Sequence, residues 1–207
     1  KLLGDGRKDE SGDFTKGDRG LASLPERAGE FTKGLAQALL YASATGVKQI
    51  HMMAGLSDKR SAVHAGRYRD AVKEAAAALG SAGLDLLIEP INGRDMPGYF
   101  LNDFHDAEKL IAEMKLPNLK LQYDIYHRQI IHGDVAKSLA ALMPIIAHVQ
   151  VASVPLRHEP DTGELNDSFV FETLDRLGYQ GWVGCEYRPR AGTEHGLGWF
   201  APYRHKG

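Results

Sequence analysis

Four short apolar runs in this chain each close on a side chain that carries an oxygen, and their spacing restricts the folds open to it. The runs are 84–90, 119–124, 145–151 and 181–187, and the closing residues are Glu89, Asp124, Gln150 and Glu186. Successive closing residues are 35, 26 and 36 residues apart. Each interval is long enough for a helix that returns the chain to begin another parallel strand. A fifth run, Val47 to Met53, reads as a further strand. In a barrel of such units, the loops at the C-terminal ends of the strands build the site, and carboxylates at several strand ends read as catalytic or metal-binding.

Between the strands the apolar spacing is helical. Phe31, Leu35, Leu39 and Ala42 predict a helix from Leu24 to about Thr45, with Gly46 at its end. Tyr68, Val72, Ala75 and Leu79 predict another over 62–82. Asp103 is placed to cap a third, which Pro117 follows, and 134–143 forms a shorter one. A polar loop follows Gln150, then a helix carrying Phe169, Leu174 and Leu177 that stops at Gly178. Residues 1–23 read as a long polar leading loop of a single domain spanning 1–207. The total is about five of the eight strand–helix units of a (β/α)8 TIM barrel, so the fold class expected is an α/β barrel incomplete at its N-terminus. The chain does not begin with Met, as expected of a fragment or a processed protein.

Three carboxylates and an amide are hard oxygen donors that suit Mg²⁺ or Mn²⁺. Glu89, Asp124, Gln150 and Glu186 are therefore the expected metal ligands. Strand-end capping or pairing with a nearby Lys or Arg is the plainer reading for any one of them. Four at equivalent places weigh against it, because buried charge is costly unless paired or metal-bound. His51 closes its own strand, where it could face the pocket. Cys185 is the only cysteine, which excludes an internal disulfide, argues against a thiolate zinc site and fits a reducing cytoplasmic compartment. Core packing is the role expected of it, as for Trp182 and Trp199. A net charge of −2, with basic residues interspersed among acidic ones, argues against nucleic acid as a partner. The apolar runs are too short for a membrane span, and no Gly-rich loop is set to cradle a nucleotide.

The stretches Ile88–Asn92, Gln122–His127, His148–Val151, Arg157–Pro160, Thr162–Asn166, Gly178–Tyr187 and Gly196–Phe200, within a match nearly continuous from Gly12 to Arg204, resemble the hydroxypyruvate isomerases of the xylose-isomerase-like group of TIM barrels. The chain departs from the family at Ser153-Val154 and Asp167-Ser168, and lacks a counterpart to its first strand–helix units. The resemblance implies interconversion of a 2-hydroxy aldehyde and a 1-hydroxy ketone, with hydroxypyruvate and tartronate semialdehyde as the specific pair. Glu89 and Glu186 would move the proton, and Asp124 and Gln150 would serve mainly as ligands. His127 and Arg157 would hold substrate oxygens, Arg157 as a clamp on a carboxylate. The same constellation could isomerise a 2-oxo-tetronate or epimerise a ketose at carbon 3, and a homo-oligomer stays open. The contrasting class is a non-catalytic barrel fragment whose strand edge pairs with a partner.

Overall fold

The computed structural model describes residues 18–204. Most of the expected leading loop, residues 1–17, lies outside them; within 18–23, Gly20 makes an isolated antiparallel bridge to Ala54. The chain divides into two compact units, one ending at Gln122 and the other beginning at Tyr123.

In the first unit α1 (Ala28–Thr45) precedes β1 (Gln49–His51), then α2 (Ala62–Ser81), β2 (Asp85–Ile88) and α3 (Phe104–Met114). β3 (Leu119–Asp124) carries the chain into the second unit. β1 and β2 are parallel, with His51 opposite Leu87, and β2 and β3 are parallel, with Ile88 opposite Leu121. Leu86, Leu87 and Ile88 are all buried, the run expected of a parallel strand covered on both faces. Phe31, Leu35, Ala38 and Ala42 form the buried stripe of α1, and Tyr68, Val72, Ala75 and Leu79 that of α2. The Asp103 carboxylate accepts from the His105 N–H at 2.7 Å, so the expected cap is present. Gly46 ends α1 at φ 73, where a Cβ is disfavoured, and its N–H returns to the Ala42 carbonyl.

The second unit continues with α4 (Ile125–Ile131), α5 (Val135–Leu142), β4 (Ile146–Val151), α6 (Asp167–Arg176), β5 (Val183–Cys185) and α7 (Thr193–Gly196). β4 and β5 are parallel, with Gln150 opposite Gly184 and Val151 opposite Cys185. No described helix is long and apolar enough to cross a membrane.

Several expectations need correction. The first helix opens with a 3-10 turn at Pro25–Arg27, where the Ala28 N–H donates to the Pro25 carbonyl three residues back. The strands around His51 and Cys185 are three residues each, shorter than their apolar runs. Cys185 is exposed: it alternates away from Gly184, and among the described residues β5 pairs with β4 alone. Trp182 does not pack but is 84% exposed, just before that short strand. Trp199 does pack, edge-on to Tyr187 with its indole N–H donating to the Tyr187 hydroxyl at 3.2 Å. Phe169 is half exposed beneath the guanidinium of Arg176.

Candidate active site

The parallel register of β2 and β3 puts Glu89, one residue past β2, beside Gln122. Gln122 Nε2 donates to Glu89 Oε2 at 2.9 Å, and His51 Nε2 lies 3.4 Å from the same oxygen. Glu89 is 4% exposed and Gln122 and His51 are also buried. The strand ends of the first unit thus present a buried carboxylate hydrogen-bonded by an amide, with an imidazole beside it. Gln122 went unrecognised in the sequence. Its signal was available, since it precedes Asp124 by two and side chains two apart on a strand share a face.

In the second unit Asp124 serves two structural elements, ending β3 and capping α4. Its Oδ1 accepts from the Tyr126 N–H at 2.8 Å and the His127 N–H at 3.4 Å. Oδ2 is left for side chains: His127 Nε2 at 3.7 Å and Arg157 Nη2 at 3.5 Å. That same Nη2 is 3.5 Å from Glu186 Oε2, and Arg157 Nε donates to the Glu186 carbonyl at 3.3 Å. Gln150 Nε2 donates to Glu186 Oε2 at 2.7 Å. The Arg157 guanidinium lies 4.9 Å from the Tyr126 ring centroid. Gly184, opposite Gln150, keeps this surface open; a Cβ there would stand 3.0 Å from His148 Nε2. Burial pushes the His148 imidazole below its ordinary pKa, favouring its neutral form beside the site.

Asp124, His127, Gln150, Arg157 and Glu186 therefore come together within the second unit, and Glu89 and His51 within the first. Arg157, expected to be directed at a substrate carboxylate, is engaged by Asp124 and Glu186. A cation between two carboxylates is what this donor set accommodates. The guanidinium illustrates it, since one nitrogen lies 3.5 Å from an oxygen of each residue while Asp124 Oδ2 keeps no hydrogen-bond partner among the described residues. Asp124 and Glu186 carry hard oxygens of the kind a divalent cation such as Mg²⁺ or Mn²⁺ takes, and Gln150 turns its Nε2 toward Glu186 with its amide oxygen as a further candidate donor.

The family described as xylose isomerase-like TIM barrel matches residues 11–203. A 2-oxo-tetronate isomerase of Cupriavidus necator is 51% identical over 194 residues, covering 93% of this chain and 75% of the relative. The hydroxypyruvate isomerase of Escherichia coli is 42% identical over 199 residues, covering 94% of this chain and 76% of the relative. A Brucella melitensis crystal structure described as an AP endonuclease, family 2, superposes with a TM-score of 0.89 at 42% identity, over 93% of this chain and 75% of its own.

Proposed function

We propose, from the premise that this chain belongs to the xylose isomerase-like TIM barrel family, that it interconverts hydroxypyruvate and tartronate semialdehyde through an enediolate. It is an isomerase of small hydroxy-oxo acids, as its curated relatives are named. The observation that carries the mechanistic reading is the convergence of Asp124 and Glu186, each 3.5 Å from one nitrogen of Arg157, with Gln150 on the same Glu186 oxygen.

In the proposed reaction, one carboxylate removes a proton from the hydroxyl-bearing carbon beside the ketone. The electron pair left behind forms the enediolate, and a proton is added at the former ketone carbon. The hydroxyl proton leaves as the aldehyde forms, and the former ketone oxygen takes one up, so no atoms or electrons are gained or lost. Glu89 and Glu186 are assigned as the proton-transferring pair. Gln122 holds Glu89 at its Oε2, with His51 Nε2 3.4 Å from the same oxygen, which favours one direction from which the carboxylate can reach a substrate carbon. Asp124, Gln150, Glu186 and Glu89 are the assigned ligands of Mg²⁺ or Mn²⁺, and such a cation, when bound, would stabilise the charge developing on the enediolate oxygens. His127 is assigned as a donor to a substrate oxygen, and Arg157 as the group that meets the substrate carboxylate.

The higher identity to the Cupriavidus necator protein favours a second reading, a 2-oxo-tetronate as substrate. Steady-state kinetics on both compounds separate the two. The first reading expects the larger kcat/KM with hydroxypyruvate, and a larger value with the 2-oxo-tetronate would replace it.

A further inference from the structure

Arg157 stands in a conformation that its own sequence does not favour. Its φ of 59 lies in the left-handed region, which a residue carrying a Cβ rarely adopts. A tight turn imposes it from one side: the Arg157 N–H donates to the Ser153 carbonyl at 2.9 Å, and the Ser153 N–H donates to the His158 carbonyl at 3.0 Å. Ser153 is 1% exposed, and its hydroxyl accepts from the His158 N–H at 3.1 Å.

The other side of the loop is stitched to the segment that follows Glu186. The Arg188 N–H donates to the Arg157 carbonyl at 2.7 Å, and the His158 ring Nδ1 meets the Arg188 carbonyl at 2.7 Å. Two residues further along each segment, the Glu159 carboxylate accepts from the Arg190 N–H at 3.2 and 3.3 Å and from Arg190 Nε at 3.0 Å. Arg190 Nη2 also donates to Asp161 at 3.0 Å. Glu159 is 1% exposed, and the carboxylate rests where Gly196 has no side chain; a Cβ at Gly196 would collide with Glu159 Oε1. A buried carboxylate is expensive unless charge and hydrogen bonds offset it. For this one they come from the backbone and side chain of Arg190, with a further hydrogen bond from the backbone of Glu159 itself. A costly buried charge two residues from Arg157, fastened to a segment that also binds the Arg157 carbonyl, has an evident use.

The geometry points to Glu159 and Arg190 as positioning residues that clamp the loop after β4 to the segment after Glu186, and so hold the Arg157 guanidinium at Asp124 and Glu186. The inference rests on the reading of Arg157 as part of the substrate site. It adds a paired charge with no substrate contact of its own.

The experiment combines Glu159→Ala, Arg190→Ala and Arg157→Ala, singly and as Glu159→Ala with Arg157→Ala, with hydroxypyruvate as substrate. Each clamp variant should raise KM about 10-fold and change kcat less than about 3-fold, because a substrate grip acts on ground state and transition state alike. In the Arg157→Ala background the Glu159 change should alter KM by less than about 2-fold, since its effect passes through Arg157. Additive KM effects, or an unchanged KM in a folded clamp variant, overturn the proposal. A second readout does not depend on turnover: the Arg157 Nε–H signal in ¹⁵N-arginine-labelled protein, assigned by its loss in Arg157→Ala. It should persist against solvent exchange in the unaltered chain and be lost or averaged in both clamp variants. Arg190→Lys guards against a variant that fails to fold, and should move the signal less than Arg190→Ala. No turnover by the unaltered chain would count against the reading of the site, whereas an unperturbed Nε–H signal in the clamp variants would count against the clamp.

Discussion

Replacing Asp124 separates its two duties, capping a helix and presenting charge. In Asp124→Ala the Tyr126 N–H loses a 2.8 Å acceptor in a residue that is 2% exposed, where water is poorly placed to substitute. Loss of an N-cap costs about 1 kcal/mol, and a buried donor left unsatisfied costs about 1–3 kcal/mol. The two overlap, because they describe the same bond. The contact to Arg157 at 3.5 Å is long and Arg157 keeps Glu186, so its loss adds no more than about 1 kcal/mol. The total is about 2–3 kcal/mol of destabilisation. Asp124→Asn keeps the Oδ1 acceptor and the shape, so its cost should stay near 1 kcal/mol or below. Urea unfolding followed by circular dichroism measures both, at unchanged slope. Isomerase activity should fall by orders of magnitude in both variants, since both remove the charge. Equal destabilisation by Asn and Ala would refute the division of labour, as would an active Asp124→Asn enzyme.

Other outcomes follow from particular groups. Burial, and secondarily Asp161, raise the Asp167 carboxyl to about 7. A raised folded-state pKa means that the unfolded chain gives up this proton first, so the group's penalty is absent below about pH 4, grows between pH 4 and 7 and is constant above. Asp167→Asn should therefore raise the melting temperature more at pH 8 than at pH 4. Cys185 is exposed and its thiol pKa is raised by burial of part of the residue, so one equivalent of a thiol reagent should react with folded protein, faster as pH rises above neutral. A thiol that reacts only after denaturation would contradict the placement of β5. Of the two tryptophans, Trp182 should account for most acrylamide quenching, so Trp182→Phe should lower the quenching constant more than Trp199→Phe. Trp182→Ala should also change stability by less than about 0.5 kcal/mol, whereas Trp199→Ala removes indole packing and should cost more.

Much of this was legible in the sequence because local and tertiary preferences agree. The Asp103 cap of α3, the full extent of β3 and the helical spacing of α2 all follow from periodicity and capping. α4 was not legible. It is seven residues long, begins immediately after a strand, and has His127 and Arg128 buried within it, so no apolar period develops. Cys185 and Trp182 were misplaced for a different reason: residue type predicts burial only where another layer covers the strand, and coverage is a tertiary property. The strand-end residues stood out because a carboxylate after an apolar run is unusual. Glu159 did not, since an acidic residue in a polar loop reads as solvated, and its partner Arg190 is 31 residues away. The turn that gives Arg157 a positive φ depends on Ser153, whose side-chain and backbone bonds are formed only in the folded loop.

Solvent exchange reads the proposed proton transfer by Glu89 and Glu186 at the substrate carbon itself. Purified chain with Mg²⁺ or Mn²⁺ and hydroxypyruvate in D₂O, followed by proton NMR, should incorporate deuterium at the carbon that loses its proton. Incorporation should depend on the added cation and disappear in Glu89→Gln and in Glu186→Gln, with both variants folded. Exchange that persists in either variant would contradict the assignment of that residue. No exchange by the folded, metal-supplied chain on hydroxypyruvate would contradict the proposed reaction, and exchange on a 2-oxo-tetronate instead would move the assignment to that substrate.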